Sequence, residues 1–119
     1  MNTATRLLVL GSGGFIGGHT VSAALRRPET VLRLARRGTP ATAPAGARVQ
    51  TVRADLSEPA SLRGLCRGVD ALIHCASLVE GTEEQLRTVN DTGTRLLIEE
   101  ALRSGVRRIV YVSTASVYG

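Results

Sequence analysis

Three glycines, Gly11, Gly14 and Gly17, sit between a short apolar run (Arg6–Leu10, RLLVL) and a segment with helical periodicity. That placement constrains the fold more than any other feature of the chain. Glycines permit a tight strand-to-helix turn, and they leave the first amides and the positive dipole end of the helix open to an anion. In a chain with 13 glycines the pattern alone would be weak; directly after a strand and directly before a helix it is specific.

The rest of the chain repeats this strand-then-helix alternation, which predicts parallel strands joined by crossovers. The first helix is expected from Gly14 to about Arg26, with Ile16, Thr20, Val21 and Ala24 on its inner stripe and Pro28 as its stop. Thr30–Ala35 (TVLRLA) and Arg48–Arg53 (RVQTVR) read as the second and third strands, with Arg33 near an exposed face. Between them, Gly38 to Gly46 has no periodicity and reads as a loop. Ser57 is placed to cap a helix over Pro59–Cys66, ended by Gly68. Asp70–Ala76 (DALIHCA) is the fourth strand, and Arg107–Val112 (RRIVYV) is the fifth. Between them Glu83–Arg103 is the longest expected helix, its inner face marked by Leu86, Val89, Gly93, Leu96, Leu97 and Ala101, with Gly105 as terminator. Right-handed crossovers then give one α/β domain over residues 1–119, a Rossmann-like doubly wound parallel sheet in the order 3-2-1-4-5. Strand five is left as an incomplete, apolar edge, which natural proteins seldom leave bare. A further segment or a partner chain is expected to cover it.

Charge narrows the partners. All 15 basic residues are arginines, against 10 acidic ones, for a net charge of +5. The arginines never run longer than two together, and the three aromatics (Phe15, Tyr111, Tyr118) do not interleave with them, so nucleic-acid binding is not expected. No apolar window is long enough for a membrane span, and Leu7–Leu10 is too short for a signal peptide. Cys66 and Cys75 lie in apolar segments without metal-ligand spacing, as do His19 and His74; no metal site is expected. Reduced, buried thiols of a cytoplasmic protein are the expectation.

The spacing Gly11-x-x-Gly14-x-x-Gly17, written GSGGFIG, resembles the extended short-chain dehydrogenase/reductase family, the NAD(P)-dependent epimerases, dehydratases and reductases. Further segments support the resemblance in the same order: Ala54-Asp55-Leu56 after the third strand, Val89-Asn90 with Gly93-Thr94, and Val110–Gly119 (VYVSTASVYG). The resemblance implies a dinucleotide cofactor held by Gly11, Gly14, Phe15, Ile16 and Gly17, with Asp55 accepting from the adenine amino group and Leu56 packing on the ring. It also implies cofactor-site roles for Ala76, at the end of the fourth strand, and Asn90, on the helix that follows. Bland alternatives stand beside these: Asp55 as the anchor of the following turn, Asn90 as a satisfied core residue.

Ala35 stands where family members that use NAD carry an acid, and Arg36-Arg37 follow. Two guanidiniums suit the additional phosphate of NADP, so NADP(H) is favoured over NAD(H). Thr114 aligns with the family's Ser/Thr that hydrogen-bonds the substrate oxygen, whereas Ala115 and Ser116 replace the acidic pair of the sugar 4,6-dehydratases. The family's proton relay, a Tyr with a Lys four residues on, is absent: the chain has no Lys, and Tyr118 belongs to the VYG motif. Two readings follow. One is the cofactor-binding portion of an oxidoreductase, a sugar-nucleotide epimerase or a carbonyl or hydroxysteroid reductase, whose relay pair and small-molecule substrate lobe lie beyond Gly119. The other is a non-catalytic nucleotide-binding module whose fifth strand pairs with a partner. A homodimer is a further expectation, because full-length relatives are often dimers.

Overall fold

The structure is a computed structural model that describes residues 4–12, 14–38, 48–76 and 81–112. The apolar runs form a parallel sheet of five strands: β1 (Thr5–Leu10), β2 (Thr30–Arg36), β3 (Val49–Arg53), β4 (Ala71–His74) and β5 (Arg108–Tyr111). Their order is β3-β2-β1-β4-β5, the doubly wound order expected from the crossover rule. Register is continuous across the centre, with Leu8 opposite Arg33 on one side and Leu72 on the other. β1 is central, so both of its faces are buried, and Leu8, Val9 and Leu10 are all essentially inaccessible.

Alternation along the strands divides the core into two layers. Leu8, Leu10 and Leu72 face one way and meet Leu56, Leu62, Leu97 and Ala101. Val9, Leu32 and Leu34 face the other way, toward Val21, Ala24 and Leu25 of α1 (Phe15–Leu25). The first helix therefore forms where expected, but Ile16 does not belong to its inner stripe; it is 49% exposed. It lies in the first turn, where Gly17 alone makes the close contact with the glycine loop.

Two helices differ from their sequence expectation. The segment after β3 makes only a single 3-10 turn, Pro59–Leu62, because Gly64 and Gly68 take positive φ (72° and 74°) and bend the chain away. Ser57 does not cap it; Glu58 holds the N-cap position, and Ser57 instead bonds back to Asp55. The long helix is not continuous either. It comprises α2 (Glu83–Arg87), a π-turn (Thr88–Gly93) and α3 (Thr94–Arg103). A capping box starts α2, with Thr82 Oγ1 accepting from Gln85 N at 3.1 Å and Thr82 N donating to Gln85 Oε1 at 2.9 Å. Gly105, at φ 81°, ends α3 as expected. Inside α3, Glu100 is buried, its carboxylate taking hydrogen bonds from Gly64 N (2.9 Å), Arg103 (3.0 Å) and Ser104 Oγ (3.3 Å).

Arg33, half-buried near an exposed face as expected, has partners the sequence did not suggest. Its Nη1 donates to Leu65 O at 2.6 Å and Arg67 O at 3.0 Å, and its Nε donates to Gln50 Oε1 at 3.0 Å. It thus fastens the irregular 63–68 segment to the sheet, satisfying carbonyls that no helix uses. Replacing Arg33 by Ala should lower unfolding free energy by about 1–3 kcal/mol in urea denaturation, the range for hydrogen bonds from a charged donor. Arg63→Ala, on the same segment but exposed, should stay within about 0.5 kcal/mol of the parent. Equal midpoints for the two variants would remove Arg33 from the account of this segment.

Candidate functional site

The glycine loop closes over the C-terminal ends of β1 and β2. Gly11 N and Ser12 N both donate to Ala35 O, at 2.9 and 3.3 Å, so the loop hangs from the end of β2. Gly11 has φ 85°, and a Cβ there would lie 2.7 Å from Ala76 N. A Cβ on Gly17 would lie 2.0 Å from Gly11 O, so α1 can dock on the loop only without a side chain at this position. Gly14 is different. Among the described residues a Cβ would find its nearest neighbour at 3.5 Å, ordinary contact, so their packing does not require glycine there. Gly14 is also the N-cap of α1 and brings no side chain to its amides. The first helical bond runs from Gly18 N to Gly14 O at 2.8 Å, and the amides of residues 15–17 precede it at the positive end of the helix.

A cleft of about 430 Å³ opens in front of this loop. Gly11 and Gly14 form its floor, Arg36 and Arg37 one end, and Asp55 and Leu56 a wall. Ala76, just past β4, and Val89 also line it, both packed on the same core layer as Leu56. The topology thus gathers seven of the residues singled out from sequence. Phe15 and Ile16 contribute no side chain to the lining: Phe15 is 82% exposed and meets His19 edge-to-face, with ring centroids 4.7 Å apart. What they present at the loop is backbone. Gly17 is buried behind the loop. Asn90 lies half-buried in the π-turn, next to Val89, and is not itself on the lining. Thr114 and the VYG residues 117–119 lie outside the described residues. Ser57 and Cys75 also line the cleft. The sequence reading gave neither a place at the site, taking Ser57 as a helix cap and Cys75 as a buried thiol, although Ser57 follows Asp55 at turn spacing and Cys75 adjoins Ala76.

Charge around the cleft is divided unevenly. Asp55 Oδ1 accepts from Ser57 N (2.9 Å) and Ser57 Oγ (2.7 Å), an Asx-type turn. Burial raises the Asp55 pKa, but the hydrogen bonds from Ser57, together with Glu58 and the Arg53 guanidinium, outweigh it and hold the carboxyl below its ordinary 3.8. Arg53 is occupied on this side, paired with Glu58 and lying 3.9 Å from Asp55 Oδ2. Arg36 and Arg37 have no ion-pair partner among the described residues. Among those residues there is also no group of three or more His, Cys, Asp or Glu able to hold a metal. No helix there is long and apolar enough to cross a membrane.

Behind the cleft, His74 ends β4 at 1% exposure. Its Nε2 shares a hydrogen bond with Thr94 Oγ1 at 2.9 Å, and its ring stacks on Tyr111 with centroids 5.1 Å apart and planes at 22°. Its Nδ1 has no partner among the described residues. Burial disfavours the imidazolium and pushes the pKa from 6.5 down to about 4. The thiols are buried to different degrees and are free; burial drives Cys66 up to about 11.

Fold and cleft together define a Rossmann-like α/β protein with an anion-suited strand-to-helix turn. The sequence profile of the NAD dependent epimerase/dehydratase family matches residues 7–119, and the chain belongs to that family. It is similar to sterol demethylase protein B of Methylococcus capsulatus, 38% identical over 115 residues, which cover 94% of this chain and 35% of that protein. A 3-beta-hydroxysteroid dehydrogenase of Mycolicibacterium neoaurum is 31% identical over 94% of this chain and 32% of its own length. Among solved structures, a mutant uronate dehydrogenase of Agrobacterium tumefaciens complexed with NAD superposes with a TM-score of 0.77 at 32% identity, covering 94% of this chain and 42% of that one. The chain thus spans about a third of the length of these curated relatives.

Protonation of His74 sets a pH dependence. The unfolded chain takes this proton near pH 6.5 and the folded chain only near 4. Stability from this group is therefore full above pH 6.5 and is lost as the pH falls toward 4, by at most about 3 kcal/mol. Asp55 acts in the same direction but only as the pH falls below 3.8. Urea denaturation between pH 7 and 4 should show the decline, and His74→Gln should flatten it. A decline that persists in the variant would assign the titration to another group.

Proposed function

We propose that this chain is the dinucleotide-binding portion of an NAD(P)-dependent oxidoreductase and that it takes NADP(H) in preference to NAD(H). Gly14 carries the proposal. Gly11 and Gly17 are explained by contacts within the protein, whereas Gly14, which lines the cleft at the start of α1, has room for a side chain among the described residues and lacks one. A ligand backbone lying against the loop accounts for that omission, as a pyrophosphate does in this kind of turn. The solved relative that holds NAD supports the class of ligand.

The bound nicotinamide would supply hydride transfer. This chain's residues would bind and orient it: the amides of residues 15–17 on the pyrophosphate, Leu56 and Val89 across the adenine, and Asp55 with its outer oxygen toward the purine edge. Arg36 and Arg37, with no carboxylate partner among the described residues, would hold the additional phosphate of NADP. Thr114 would hydrogen-bond a substrate oxygen. A Tyr–Lys relay would come from sequence outside these 119 residues, since they hold no Lys. The chain's one-third share of its curated relatives supports that division of labour. The substrate would be a small hydroxyl or carbonyl compound, a class that spans the sterol, steroid and uronate names of the relatives.

Gly14→Ala should fold with an unchanged melting temperature while losing at least about tenfold in NADP affinity, one Cβ intruding on the ligand's side of the loop. Gly17→Ala should instead destabilise the fold itself. Calorimetric titration beside thermal melts separates the two, and full affinity in Gly14→Ala would overturn the cleft's assignment. Replacing Arg36 and Arg37 together by Ala should weaken NADP by about a hundredfold and NAD by less than about threefold. Equal losses for the two dinucleotides would sink the phosphate clamp.

A further inference from the structure

Thr94 and His74 form a buried polar pair outside the cleft lining, 9% and 1% exposed. A single hydrogen bond of 2.9 Å barely offsets the cost of burying both groups, and apolar residues of similar shape would stabilise the core as well. What such a pair adds is direction, because a satisfied polar contact fixes a register that dispersion contacts leave loose. The stack on Tyr111 restrains the imidazole plane and keeps Nε2 aimed at Thr94.

The register at stake is that of the π-turn, Thr88–Gly93. A π-turn holds one residue more than an α-turn, an uncommon geometry that persists only when both flanks are pinned. On its N-terminal side the Thr82–Gln85 capping box fixes α2. On its C-terminal side two consecutive residues are fixed. Gly93 meets Leu56 so closely that a Cβ would lie 2.5 Å from Leu56 O, and Thr94 bonds His74. Val89, within the turn, lines the cleft together with Leu56.

We infer that His74 is a positioning residue of the nucleotide cleft: through Thr94 it holds the π-turn against Leu56, so that Val89 and Leu56 stand at the spacing the ligand requires. The inference rests on the nucleotide reading of the cleft, and its test separates the two. Thr94→Val removes only the hydroxyl and His74→Leu only the ring; Thr94→Ser and His74→Gln retain a bonding group. In the 119-residue chain, NADP affinity is measured well below the melting temperature, and amide hydrogen exchange is followed across residues 88–93. Thr94→Val and His74→Leu should each weaken NADP about fivefold and speed exchange across the turn. The double variant should lose no more than either single one, and Thr94→Ser should recover most of the affinity. Should His74→Leu not fold, Thr94→Val carries the test alone. Faster exchange across the turn in the variants, with a parent chain that binds no NADP, would keep the anchor and refute the nucleotide reading. A lowered melting temperature with unchanged affinity and exchange would reduce the pair to ordinary core structure and overturn the inference.

Discussion

The approach of α1 to the carbonyl of Gly11 governs the rest of the structure. With no Cβ at residue 17, the first turn of the helix rests directly on the turn that leaves β1, and the cleft opens from that contact. Gly11 must in turn accept positive φ and lie against Ala76, which ties the loop to the end of β4. The same loop hangs by two amides from Ala35 at the end of β2. Three strand ends are thus brought to one point by backbone contacts alone, and the site's position follows from main-chain geometry.

A second glycine does the same on the opposite wall. Gly93 brings the helical segment after β4 onto the backbone of Leu56, as Gly17 brings α1 onto Gly11. Between these contacts the cleft is bounded by elements that cannot shift independently, because close-packed backbone has no soft side chain to absorb motion. The irregular stretch after β3 is held by other means. Arg33 satisfies its carbonyls from the sheet, and Glu100 takes the amide of Gly64 from α3.

The strand order and the glycine turn were legible in the sequence because they depend on local periodicity and crossover handedness, whereas Arg36, Arg37, Asp55, Leu56 and Ala76 were singled out through the family resemblance. What was not legible depends on contacts distant in sequence. Nothing local in Glu83–Arg103 announces a π-turn; it arises where Gly93 meets Leu56 and Thr94 meets His74. The partners of Arg33 were not legible, because the carbonyls of Leu65 and Arg67 are open to it only once the expected helix there fails to form. Ile16 matched a helical stripe but falls in the turn that overhangs the loop, beyond the sheet. Asp55 had two readings, and the geometry gives its Oδ1 to the Ser57 turn while the residue also lines the cleft.

The net charge of +5 does not by itself select a ligand. Exposed charges farther apart than about 8–10 Å are screened at physiological salt, so only those bordering the cleft act on what enters it. There one oxygen of Asp55 is taken by Ser57, and the nearby Glu58 is paired with Arg53. Arg53 lies opposite Arg36 in the β2–β3 register, and without Glu58 the two guanidiniums would compete for the same anion or repel one another. With Arg53 neutralised, the local excess belongs to Arg36 and Arg37, beside the amides of the first helical turn. Losing Glu58 would therefore set a further unpaired guanidinium beside Arg36 at this end of the cleft.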